Sequence, residues 1–265
     1  MRHVALVSIL AGLAGVTLAC SSSTAGGTAA PPDAGPPADA AADQEQPDGG
    51  AASNQTVLIQ GTLAQSATDG GAQSAQDALF GMYRSAAQGL GNVGHAVFLD
   101  VAMSQDVLDV DTWDDAKGLQ QFLSNPQVQK QDAQLFASMP TVTVAVARPG
   151  WYGWGSFSRT LPNGGGPAYV AVLRGKLAHD EATSASIHNQ GAMQAQSAAM
   201  GAGDLAHIPY LDTADPTAFL VIDEWSNPMA PMQLYGSADF QKAFGALLVG
   251  APTITLYAGT NWLQW

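Results

Sequence analysis

Two histidines, His95 and His207, each stand sixteen residues before an aspartate, Asp111 and Asp223, and each aspartate is followed two places on by a tryptophan, Trp113 and Trp225. If the chain turns near Met103-Ser104, residues 95–100 and 106–113 form a hairpin. His95 then faces Asp111 to Trp113 across it. Side chains on neighbouring strands approach within about 5 Å. A carboxylate beside an imidazole orients the ring and raises its basicity, which suits removal of a proton from a phenol or an activated carbon. A nearby indole can stack on an aromatic molecule. The candidate catalytic residues are therefore His95, Asp111, His207 and Asp223, with Trp113 and Trp225 as candidate substrate-binding residues. The same residues allow a structural role: each histidine bonds to backbone after a helix, and each tryptophan plugs the core.

Other motifs point to no chemistry. His179-Asp180-Glu181 and His188 lie around a helix start without a tight ligand spacing, so they read as a solvated helix end and not as a metal site. Gly164-Gly165-Gly166 precedes Pro167 and lacks the Lys-Ser/Thr of a phosphate cradle. Neither a Gly-x-Ser-x-Gly elbow nor a dinucleotide fingerprint occurs.

The elements that would position these residues come twice. Residues 91–148 align with 203–260 at an offset of 112 without a gap, and fifteen of the 58 positions are identical. The shared positions include His95/His207, Asp100/Asp212, Asp111/Asp223, Trp113/Trp225 and Lys130/Lys242. Trp151 and Trp154 likewise match Trp262 and Trp265, so all six tryptophans fall into three pairs. The last two pairs either seal the ends of the structure or line a ligand mouth. A repeat of this kind fixes the architecture before any local reading.

Each copy reads as β-α-β-β-α-β, the ferredoxin-like split βαβ. A β-branched run at 56–63 predicts a strand. Ala75, Leu79, Met82, Tyr83, Ala86 and Leu90 follow at helical spacing, with Ser74 and Asp77 near the helix start. A second helix over 114–137 is broken at Asn125-Pro126, and 141–146 is the last strand. The second copy runs over 168–177, 182–200, 206–212, 217–225, 227–249 and 252–258. Its helix at 182–200 has a poor apolar stripe.

The first fifty residues belong to no fold. Arg2 and His3 precede an apolar run that stops at Thr17-Leu18-Ala19-Cys20, too short to span a bilayer. This end resembles a bacterial lipobox, in which the cysteine is acylated, although Leu18 sits one place later than usual. Cys20 is the only cysteine, which also rules out a disulfide framework. Residues 21–54 hold no Val, Ile, Leu, Met or aromatic residue. Such a stretch cannot offset its ordering entropy and reads as a tether with ends roughly 30 Å apart. The expected layout is a lipoprotein signal peptide (1–19), a lipidated tether (20–54), a first domain (55–155), a linker (156–166) and a second domain (167–265). The lipid implies attachment to the bacterial cell envelope, and Ser21 after the cysteine leans towards the outer membrane over the inner. A formal net charge of −13 argues against a nucleic-acid partner.

At Phe219-Leu220-Val221-Ile222-Asp223-Glu224-Trp225, and again at Leu234-Tyr235-Gly236-Ser237-Ala238-Asp239-Phe240, the chain resembles the antibiotic biosynthesis monooxygenase family. Val110-Asp111-Thr112-Trp113 and Ser124-Asn125-Pro126-Gln127-Val128 show the same outline in the first copy. The resemblance implies an α+β fold: two tandem ferredoxin-like domains that pack as a dimeric α/β barrel within one chain, a monomeric pseudo-dimer. It implies a monooxygenase-like enzyme that uses no cofactor and acts on a small aromatic or lipophilic molecule. His95 or His207 would be the base and Trp113 or Trp225 the stacking wall. Haem-degrading relatives bind iron through a histidine of the second helix, and 114–137 and 227–249 contain none. The alternative is a non-catalytic envelope lipoprotein, either a small-ligand binder or a structural protein.

Overall fold

The computed structural model describes residues 54–157 and 168–265. The expected signal peptide, the lipidated Cys20, nearly all of the tether and most of the linker lie outside the described residues. The first half runs β1 (Gln55–Thr62), α1 (Gly71–Gly89), β2 (Asn92–Asp100), β3 (Asp106–Trp113), α2 (Ala116–Leu123), α3 (Pro126–Leu135) and β4 (Thr141–Ala147). The second repeats that order as β5 (Tyr169–Lys176), α4 (Glu181–Ala202), β6 (Asp204–Asp212), β7 (Ala218–Trp225), α5 (Ala230–Tyr235), α6 (Ala238–Phe244) and β8 (Thr253–Gly259). The expected split of the second helix is real: Asn125 accepts a hydrogen bond from the Gln127 N–H, and Pro126 takes the first turn of α3. In α4, Asp180 caps the start by accepting from Thr183 N.

One expectation fails at α1. The helix starts earlier, after Gly70 in a left-handed conformation, and Ser74 and Asp77 do not cap it. Asp77 instead accepts from the backbone N–H of Leu263 at 2.6 Å, tying the C-terminal segment to the first half.

The eight strands close into one antiparallel barrel in the order β1-β3-β2-β8-β5-β7-β6-β4. Two seams join the halves: Phe98–Asp100 against Tyr257–Gly259, and Ala145–Ala147 against Tyr210–Asp212. The fold is the intrachain dimeric α/β barrel, α+β in class, with a ferredoxin-like unit in each half.

Strand alternation sorts the side chains into two layers. Leu58, Phe98, Leu108, Val110, Val172, Ile222 and Tyr257 fill the barrel interior. The opposite faces carry Val57, Ile59, Val97, Val107 and Trp113 in the first half, and Leu173, Leu211, Phe219 and Val221 in the second. Those faces lie under the helices. His95, Asp111, His207 and Asp223 share that parity, so the site sits between sheet and helices and not inside the barrel.

Candidate functional site

The strand register brings each histidine to its aspartate. His95 is opposite Asp111 and His207 is opposite Asp223. His95 Nδ1 lies 2.7 Å from Asp111 Oδ1, and His207 Nδ1 lies 2.6 Å from Asp223 Oδ1. All four residues are buried.

The wall of each pair comes from the other half. Trp154, which follows β4, exchanges backbone hydrogen bonds with His207 (2.9 and 3.1 Å) and stacks on its ring at 4.4 Å. Trp265, which follows β8, does the same for His95 (2.9 and 3.1 Å), with ring centroids 4.7 Å apart. Gly155 makes the approach of Trp154 possible. Its φ is +69°, and a Cβ there would stand 2.2 Å from the carbonyl oxygen of Leu205.

The tryptophans expected as a stacking wall lie apart from the imidazoles' faces. Trp113 and Trp225 are 1% and 0% exposed and pack beneath the helices, against Phe122 and Tyr235 respectively. Each is the last residue of its strand, β3 or β7. Trp113 lines the narrow cleft beside Asp111, and Trp225 does not line the cavity described below. The stacking tryptophans are Trp154 and Trp265.

The two halves differ in what lies beyond the shared pair. In the first, Gln76 Nε2 meets His95 Nε2 at 2.9 Å, and Phe80 stacks on the ring at 4.0 Å with 18° between the planes. Leu79, Phe80, Tyr83 and Phe122 crowd the space beside Asp111, leaving a cleft of about 20 Å³. In the second, Gly191, Ala192 and Ala195 stand where Leu79, Phe80 and Tyr83 stand in the first. The missing bulk is a cavity of about 270 Å³, lined among others by Trp154, Ala192, His207, Asp223, Tyr235 and Phe240. That is close to the lower end of small-molecule pockets, roughly 300–1,000 Å³.

Asp204, His207, Asp223 and Tyr235 give this cavity a polar, acidic side. Behind His207, His188 stands at the place of Gln76, and its Nε2 lies 3.1 Å from His207 Nε2. His188 Nδ1 lies 3.3 Å from Asn189 Oδ1. Burial, and after it the neighbouring His207, lower the pKa of His188 to about 3, so its ring is neutral. The Tyr235 hydroxyl donates to Asp223 Oδ2. Burial, reinforced by Asp223, holds that phenol well above its usual range. Asp204 is pushed up to about 9 by burial and by the charges of Asp223 and Glu224. In the first half, burial raises Asp109 to about 7 and Asp132 to about 6.

Sequence reasoning missed four of these residues. His188 is not part of a solvated helix end; it is 1% exposed and bonded to His207. His179, Asp180 and Glu181 are exposed, as expected of a helix start. The repeat offset would have found His188, since it places the residue opposite Gln76. Tyr235 appeared only inside the family-like motif and Trp154 only as one of the paired tryptophans, with no role at the histidine assigned to either, and Asp204 carried no signal. Among the described residues no cluster of three or more His, Cys, Asp or Glu side chains is placed to hold a metal ion. No helix among them is long and apolar enough to cross a membrane.

No family model matches the sequence, and no curated protein matches it. Solved structures match the fold. An anthrone oxidase-like protein superposes with a TM-score of 0.57 at 13% identity, covering 80% of this chain and 93% of its own. A candidate monooxygenase from Fusobacterium nucleatum subsp. nucleatum gives 0.55 at 8% identity, covering 81% and 98%. A heme-binding protein from Thermus thermophilus gives 0.51 at 10%, covering 79% and 92%. At these identities the likeness shows the fold alone.

Proposed function

We propose that the second half binds a small aromatic molecule and acts on it as a cofactor-independent oxygenase, while the first half is a filled structural copy. One observation carries the reading. Phe80 lies flat on His95, and its counterpart Ala192 leaves the matching space beside His207 inside the cavity. An aromatic ligand stacked there would reproduce a packing that the chain already makes with its own side chain.

Below the ligand, a spare lone pair of Asp223, whose carboxylate is held by His207 and Tyr235, accepts a proton from an activated methylene. Dioxygen then oxidises the electron-rich anion. In the net reaction a CH2 group and O2 become a carbonyl and water. The resemblance to oxygenases supports this chemistry, and the surrounding apolar wall would strengthen the electrostatics of proton removal.

Haem does not suit this site. His95, His188 and His207 each commit both ring nitrogens to protein partners, which leaves no free imidazole nitrogen for iron. That same engagement favours a second reading: a binding module without catalysis. The sequence of residues 1–54 supports placing either protein on the bacterial envelope through a lipid on Cys20, with the globular part as a monomeric pseudo-dimer.

The test is to supply fused-ring ketones bearing an activated methylene and to follow oxygen uptake and products by mass spectrometry. One O2 consumed per carbonyl formed, with loss of turnover in His207→Gln and Asp223→Asn, is the expected result. Turnover that survives the double variant His95→Gln with His207→Gln overturns the catalytic assignment. Saturable binding without product leaves the binding module.

A further inference from the structure

Asn92 and Asp204 open β2 and β6 at equivalent positions, paired across to Trp113 and Trp225. Trp265 and Trp154 are likewise equivalent. In the first half the two positions are bonded: the indole Nε1 of Trp265 donates to Asn92 Oδ1 at 2.7 Å. In the second half the bond is not made. Trp154 Nε1 and Asp204 Oδ1 are both buried and have no hydrogen-bond partner, while the Asp204 carboxyl accepts from the backbone N–H of Ala206. Both residues line the 270 Å³ cavity, and Asp204 is 4% exposed.

Buried polar groups are nearly always satisfied, and an unpartnered donor and an unpartnered carboxyl oxygen on two residues that line one cavity mark a place for a third group. We propose that Trp154 and Asp204 form an oxygen-binding pair that receives a carbonyl or hydroxyl oxygen of the aromatic ligand. The inference rests on the cavity reading above and adds the polar handle that the ligand must carry.

The chemistry is consistent from both sides. Near neutral pH the Asp204 carboxyl keeps its proton, because burial and the nearby Asp223 and Glu224 disfavour the anion. A ligand carbonyl oxygen can then accept from two donors, the indole N–H and the carboxyl O–H. A ligand hydroxyl can accept from the indole and donate to the carboxyl. When a proton leaves a carbon next to the carbonyl, charge develops on that same oxygen. Two donors bonded to that oxygen would stabilise the enolate more than the ketone. The pair would thus orient the ligand and share in the proton removal carried out at His207 and Asp223. The first half lacks this option, since Asn92 and Trp265 already satisfy each other.

The experiment compares 1-naphthol with naphthalene, which share a ring system and differ by one hydroxyl. Calorimetric titrations use the full chain and the variants Trp154→Phe and Asp204→Asn. Trp154→Phe keeps an aromatic face for His207 and removes the N–H. Asp204→Asn installs the residue that closes the bond in the first half. The expected result is a preference for 1-naphthol of about tenfold in the unaltered chain, the weight of one or two hydrogen bonds. That preference should fall several-fold in each variant, while measurable binding of naphthalene to each variant shows that the cavity still forms. A preference that persists in both variants overturns the oxygen pair and leaves the cavity reading standing. Failure of both compounds to bind the unaltered chain overturns the cavity reading, and the oxygen pair falls with it.

Discussion

Gln76 and His95 meet amide nitrogen to imidazole Nε2 at 2.9 Å, and that contact decides where the ring proton sits. The amide donates, so Nε2 is bare and Nδ1 carries the proton to Asp111. The first-half ring is thereby fixed in orientation, clamped between Phe80 and Trp265. His188 at the same place leaves the choice of proton open, because either imidazole of the His188–His207 pair can donate.

Acid stability should report on that exchange. The folded pKa of His188 is about 3, below the ordinary value of 6.5. The unfolded chain therefore takes up the proton first as pH falls. The His188 contribution to stability is full above about pH 6.5 and declines through the window down to about pH 3. With a group this buried the loss is on the order of a few kcal/mol. Urea melts of His188→Gln at pH 7 and pH 4 should show a smaller drop than the unaltered chain. Equal drops would show that His188 does not carry the acid sensitivity.

Asp109 should act in the opposite direction. It is 1% exposed, both carboxyl oxygens lack a partner, and its pKa is about 7 against an ordinary 3.8. The unfolded chain ionises first as pH rises. The penalty is absent below about pH 4, grows through about pH 7 and stays constant above. Val221 occupies the equivalent position in the second half. Asp109→Val should raise stability at pH 8 by about 2–4 kcal/mol, with a clearly smaller gain at pH 4. Denaturant midpoints at the two pH values decide it.

Ala192→Phe should close the ligand space. The substitution restores the residue that stacks on the imidazole in the first half. We expect a folded protein with an unchanged or raised melting temperature, since a buried phenyl contributes about 1.5–3 kcal/mol when it fits. Binding of naphthalene should fall at least tenfold. Undiminished binding in a titration would place the ligand elsewhere.

Cys20→Ala tests the membrane attachment read from the leader sequence. Expressed in a bacterial host, the unaltered chain should partition with membranes, and the variant should move to the soluble fraction. Several acyl chains are needed for stable anchoring, at about 0.8 kcal/mol per buried methylene. A variant still held in the membrane fraction after salt washing would remove the lipid from the account.

The sequence made much of this fold readable, because the repeat doubled every signal. The strand pairs His95–Asp111 and His207–Asp223 followed from hairpin register alone, since a period of two leaves little freedom. The stacking tryptophans did not follow. Trp154 and Trp265 reach their histidines through crossovers between halves, and no local pattern encodes a contact over such a separation. The cavity was visible only as a weakness. The helix with the poor apolar stripe is α4, and its stripe is poor because Ser184, Gly191 and Ala192 replace Ala72, Leu79 and Phe80. A faint periodicity in one of two copies was thus the trace of an empty volume.

The crossed tryptophans also decide whether the chain can be divided. A fragment ending soon after Gly155 would export the indole needed by its missing sibling and leave His95 bare on one side. The complementary fragment would own Trp265 but have nothing of its own to cover His207. Neither piece is a finished building block, so shortening or shuffling this gene between its halves leaves two orphans that must find each other again. Fusion into a single polypeptide guarantees that meeting at a fixed one-to-one ratio, and it frees each half to diverge while the other keeps the shared scaffold intact.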